Sequence, residues 1–133
     1  CKNHKTIYVN INNDWVFLIP TKNQKISILN QNNVFTTDKN GVVYIPDELI
    51  KNRFEVKLMH NSKNVDDNIK YSQMITGSTL DIKFKHRYVA FFICLPNNNR
   101  ICDNTPDYYE NNSRNILYQY YLSNKVELDS IDK

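Results

Sequence analysis

A chain of 133 residues with 17 basic and 14 acidic side chains is one domain's worth of sequence, and its charges are mixed rather than gathered into runs. The formal charge of +3 therefore excludes the clustered basic stripe with which nucleic-acid binders meet phosphate, so no nucleic-acid partner is expected. With 2 glycines in all, phosphate-cradling loops are excluded too.

Residues 1–6 are polar after the first cysteine and read as a tether, leaving 7–133 as a single folded domain. Ile7, Val9 and Ile11 alternate with Tyr8 and Asn10, the period of a half-buried strand. After an Asn12-Asn13-Asp14 turn, Trp15-Val16-Phe17-Leu18-Ile19 is a continuous apolar run closed by Pro20. It is short for a helix and rich in aromatic and β-branched residues, which predicts a strand buried on both faces at the centre of the core. Lys25 to Leu29 alternates again.

Phe35 to Pro46 predicts a hairpin on which the rest is assembled. Asp38 and Asn40 tolerate unusual backbone angles, Gly41 supplies a positive φ, and Val42 to Pro46 returns as a β-branched strand. Residues 47–51, acidic in front and basic behind, suit one short helical turn. Phe54, Val56 and Leu58 point inward from the next strand, and residues 61–68 read as a loosely ordered polar connection. Strands are expected at Ile69 to Ile75, at Leu80 to Lys85 and at Tyr88 to Leu95, the last a central one. In the tail, Ser113 is a candidate cap for a helix whose stripe is Ile116, Leu117, Tyr120 and Tyr121, although tyrosine also favours strands and 113–122 stays open between the two. Asn124 to Lys133 reads as a loose terminus. Seven or so short strands with turn signals every ten residues make an all-β chain, an antiparallel β-sandwich, with an open barrel as the alternative.

Cys94 and Cys102 flank Leu95-Pro96-Asn97-Asn98-Asn99-Arg100-Ile101, a turn-rich loop that can bring two strands face to face with their sulfurs at bridging distance. A disulfide here points to an oxidising compartment such as the bacterial periplasm. The third cysteine, Cys1, opens the chain and is followed by Lys2, Asn3, His4, Lys5 and Thr6, which resembles a mature bacterial lipoprotein. That resemblance implies lipidation at Cys1 and membrane attachment on the periplasmic side of the envelope, at the outer membrane.

Trp15-Val16-Phe17-Leu18-Ile19-Pro20 and Thr37-Asp38-Lys39-Asn40-Gly41-Val42-Val43-Tyr44-Ile45-Pro46 together resemble small bacterial lipoproteins with a transthyretin-like or carboxypeptidase-regulatory-like sandwich. The resemblance covers the first half of the chain. It implies a module without enzymatic activity: a structural part, an adaptor in a secretion machine, or an immunity protein that neutralises a toxin.

The residues carry little other chemistry. His4, His60 and His86 are isolated from any partner at ligand spacing and read as structural or surface groups. Asp66 with Asp67, and Asp103 with Asp107, lack the alternation of a calcium loop. No Gly-flanked serine forms a nucleophile elbow, so no catalytic residue, metal or cofactor is expected. What stands out is tyrosine: Tyr108, Tyr109, Tyr118, Tyr120 and Tyr121, beside Trp15, are of the amphipathic type enriched at protein contacts. Tyr108 and Tyr109, with Asn97, Asn98 and Arg100 of the bridged loop, are the candidate partner-binding residues, whereas Tyr120 and Tyr121 belong in the core. The expected function is binding of another protein, as an immunity protein occluding a toxin; alternatives are a lipoprotein subunit of a type VI-like secretion complex and a carbohydrate-binding module.

Overall fold

The computed structural model of the chain describes residues 5–22, 34–51, 54–75, 87–95, 102 and 104–130. The strands are β1 (Lys5–Asn10), β2 (Trp15–Thr21), β3 (Val34–Thr36), β4 (Val42–Pro46), β5 (Phe54–His60), β6 (Lys63–Asn64), β7 (Ile69–Ile75) and β8 (Tyr88–Ile93). A short helix α1 (Asp47–Lys51) follows β4, and a long helix α2 (Pro106–Ser130) ends the described chain. The strands form two four-stranded sheets, ordered β3-β1-β5-β6 and β4-β2-β8-β7. The expected strand at Leu80 to Lys85 and that at Lys25 to Leu29 lie outside the described residues.

The mostly-β expectation holds, but the antiparallel one needs correction, because both sheets are mixed. β1 pairs in parallel with β3 and β5, and β2 in parallel with β4, while β2 with β8, β5 with β6 and β7 with β8 are antiparallel. The cause is the route of the chain. From β1 to β5 each strand lies in the other sheet from the one before it. Two successive reversals between sheets return the chain to its first sheet pointing the same way, so same-sheet neighbours run parallel.

The segment expected as the founding hairpin shows this best. Its turn chemistry is as expected: Asp38 Oδ1 accepts from the N–H groups of Asn40 (2.8 Å) and Val42 (2.9 Å), and the Gly41 N–H donates to Asp38 O at 3.0 Å. Gly41 has φ +81°, and a Cβ there would meet the Trp15 carbonyl oxygen at 2.2 Å, so the position needs glycine on both counts. Yet β3 and β4 belong to different sheets. The turn is an arch between layers, not the tip of a hairpin.

A true hairpin sits where a loosely ordered connection was expected. Asn61 (φ 51°) and Ser62 (φ 65°) form a two-residue turn with positive φ at both positions, and His60 pairs with Lys63 across it. Buried Val65 then anchors the segment, and Asp66 Oδ1 accepts from the Leu58 N–H at 2.8 Å.

Side chains of β2 alternate between two cores. Val16 and Leu18 join Ile7, Val9, Ile11, Val43, Ile45, Leu58, Val89 and Ile93 in an aliphatic cluster drawn from both sheets. Trp15, Phe17 and Ile19 join Tyr88, Phe92, Tyr109, Leu117 and Tyr120 in an aromatic cluster shared with α2. β2 is buried along its whole length, as its continuous apolar run requires.

Helix α2 begins earlier than Ser113. Thr105 Oγ1 accepts from the Tyr108 N–H at 3.2 Å, Pro106 holds the first helical position, and Asp107 lies in the first turn, so cap, proline and acid agree on the start. Ser113 is an interior, buried residue whose hydroxyl donates to Glu110 O at 2.9 Å. Tyr109, Ser113, Leu117 and Tyr120 form the buried stripe, with Ile116 and Tyr121 packed beside it. The residues expected as a loose end from Asn124 continue the helix as far as Ser130, across non-helical angles at Asn124 (φ −131°, ψ 27°).

Candidate partner-docking site

Of the sequence-predicted contact residues the structure describes two, Tyr108 and Tyr109, in the first turn of α2. A disulfide joins Cys94 to Cys102, with the Cα atoms 5.8 Å apart. It does not tie two strands together as expected: Cys94 follows β8 and Cys102 precedes α2, so the bridge fastens the end of a central strand to the approach of the helix. Asn97, Asn98 and Arg100 lie outside the described residues, as does Cys1.

Both feet of the bridge are clamped. The Cys94 N–H donates to Asn68 O at 2.9 Å and the Asn68 amide donates back to Cys94 O at 2.8 Å. On the other side the Tyr109 hydroxyl donates to Cys102 O. Asn68 was not singled out from sequence, because an asparagine in a polar stretch carries no mark of the strand end it will meet.

The two adjacent tyrosines part company. Tyr109 is 3% exposed, stacked at 5.4 Å on Tyr71 and set against Phe92 (5.1 Å) and Trp15 (6.3 Å). It belongs to the core, contrary to its expected role as a contact residue. Tyr108 is 49% exposed and meets Tyr109 edge-on at 5.7 Å, so its ring is held from below and open above. Tyr120 is buried, as expected, and its hydroxyl lies 2.8 Å from that of Tyr44.

Beneath the first turns of α2 lies a polar patch absent from the sequence reading. Glu110 and Arg114 pair at 2.5 Å, one turn apart, near Tyr71, Tyr88 and Ser113. Burial pushes the Tyr71 phenol up to about 12, with the Glu110 charge adding to it and Arg114 and Ser113 opposing. Burial also raises Tyr88, opposed by the nearby Ser113 hydroxyl and the charge of Arg114. Both phenols thus stay protonated throughout the physiological range, and the Tyr71 hydroxyl donates to Gln73 Oε1. The i,i+4 spacing of Glu110 and Arg114 was a usable signal, hidden by starting the helix at Ser113.

Of the other singled-out residues His60 and Asp66 serve the fold, and His4, His86 and Asp103 lie outside the described residues. His60 Nδ1 lies 3.0 Å from Ile11 O, tying β5 to the end of β1, and Asp66 closes the turn after β6. Among the described residues no three side chains of metal-binding type converge, and no helix is long and apolar enough to cross a membrane. No protein-family model matches the chain, and comparisons with curated proteins and with solved structures found no match. The transthyretin-like resemblance therefore rests on the residues quoted for it alone.

Proposed function

We propose that this chain is a binding domain that acts on another protein outside the cytosol, in the manner of an immunity protein occluding a toxin. The observation that carries the reading is the pairing of a clamped disulfide with the half-exposed ring of Tyr108 at the start of α2. Tyrosine gives a large contact area at little entropic cost, and a ring already propped by Tyr109 has less freedom to lose on binding. The bridge supports an oxidising compartment, and the two-sheet body with its docked helix supplies a rigid, sandwich-like support.

On this reading the Tyr108 ring beside the bridge forms the docking surface, and the mechanism is steric: the partner's cleft is covered and no bond is made or broken. Deleting the gene in a strain that carries a neighbouring toxin gene is expected to cause self-intoxication, relieved by supplying the chain. Loss of secretion without self-killing would replace this reading with the secretion-complex subunit.

A further inference from the structure

A second surface, lined by turns and helix rather than by the bridge, has its own chemistry. The turn at Asn12 to Asp14, the arch tip at Lys39 and Asn40, Trp15 and Ile116 of α2 line an open hollow of about 490 Å³. A second hollow of about 370 Å³ shares Asn40 and Ile116 with the first and runs on along α2 past Asn115, Gln119 and Ser123. The two adjoin at Asn40 and Ile116 and are treated together as one groove.

The groove is lined mainly by carboxamides. The side chains of Asn12, Asn40, Asn115 and Gln119 are exposed and make no hydrogen bond among the described residues. Asn13 and Asn124 are fixed by their own amides, which donate to Lys39 O (3.1 Å) and Tyr120 O (2.9 Å). Asp14 and Lys39 give the first hollow one charge of each sign, so it offers no net attraction to phosphate or carboxylate. A carboxamide donates and accepts at once, as each hydroxyl of a sugar does. Half-buried Ile116, with the 8% of Trp15 and of Tyr120 that stays exposed, supplies a small apolar surface for the C–H face of a pyranose ring. An extended peptide would instead seek a free strand edge for its backbone, and this groove is walled by side chains of turns and helix.

We propose that this groove binds a neutral oligosaccharide, with Asn12, Asn40, Asn115 and Gln119 reading its hydroxyls. The chain holds a single tryptophan, and it lies in the groove, so its fluorescence reports occupancy. The test is titration of the full chain with chitohexaose, cellohexaose and maltohexaose, beside a neutral extended hexapeptide. At least one sugar is expected to give a saturable change below about 10 mM. The double variant Asn115→Ala/Gln119→Ala removes exposed side chains only, and is expected to keep its circular dichroism and melting point while losing about tenfold or more in affinity. Glu55→Gln, in the other sheet, is expected to bind as the unmodified chain does. No saturable response to any of the sugars, equal affinity in the double variant, or equal binding of the peptide would each overturn the proposal.

Discussion

The two cores divided by β2 differ in chemistry although they share a strand. The layer on the Val16 and Leu18 side is built of aliphatic groups and Phe35, with Phe54 and Phe91 packed against it. The layer on the Trp15 and Phe17 side holds Tyr88, Tyr109 and Tyr120, and its rim carries Glu110, Arg114 and Ser113. The aliphatic layer joins sheet to sheet, where interdigitated methyl groups serve best. The aromatic layer joins a sheet to the helix that carries the candidate docking ring, and its tyrosines pack with one end while bonding with the other. The first is therefore a source of stability between the sheets, and the second couples stability to the surface above it.

Core truncation should separate the layers most strongly. Leu18 and Leu117 are both fully buried, one in each layer, so Leu18→Ala and Leu117→Ala should each cost about 2–5 kcal/mol in chemical denaturation. Hydrogen exchange should tell them apart: Leu117→Ala is expected to release the amides of α2 first, whereas Leu18→Ala lowers protection across both sheets. Equal patterns would erase the distinction. Gly41→Ala, which drives a Cβ into the Trp15 carbonyl at the arch, should cost about 2–3 kcal/mol by the same measurement.

Removing the bridge by Cys94→Ser/Cys102→Ser should cost roughly 2–3 kcal/mol for a loop of sequence separation 8. The loss is expected to appear at the start of α2 and not in β1 or β3. The subtlest probe is alkali. Tyr71 and Tyr88 both titrate above the ordinary value of 10.0 in the folded chain, so folding favours their protonated form. Denaturation midpoints should hold below pH 10 and fall as pH rises from there toward about 12, the Tyr71 value, with Tyr71→Phe reducing the fall. A midpoint that stays flat to pH 12 would show that the aromatic layer is not pH-coupled.

Much of this was legible in the sequence because it depends on neighbouring residues. The continuous run from Trp15 to Ile19 announced a strand buried on both faces, and the Leu117 and Tyr120 stripe offered a helix docked by one side without deciding it against a strand. Asp38 to Gly41 announced a tight turn. It did not announce which sheet the next strand would join, because the same Asx and glycine chemistry closes a hairpin or an arch, and the choice lies in contacts far along the chain. For the same reason Tyr108 and Tyr109 read alike in sequence; the helix start at Pro106 fixes their 100° separation around the axis, and so sends one ring to the core and the other to solvent. Asn68 and the groove carboxamides were hidden among the many asparagines of the chain.

The most direct test of the docking account is affinity capture from the native envelope, comparing the unmodified chain with Tyr108→Ala and with the bridge-free double serine variant. The Tyr108 ring is half exposed, so its removal should leave the melting point within about 1 °C while a single protein partner, held by the unmodified chain, is lost. Recovery of the same partner in equal yield by all three chains, or of none by the unmodified one, would contradict the account.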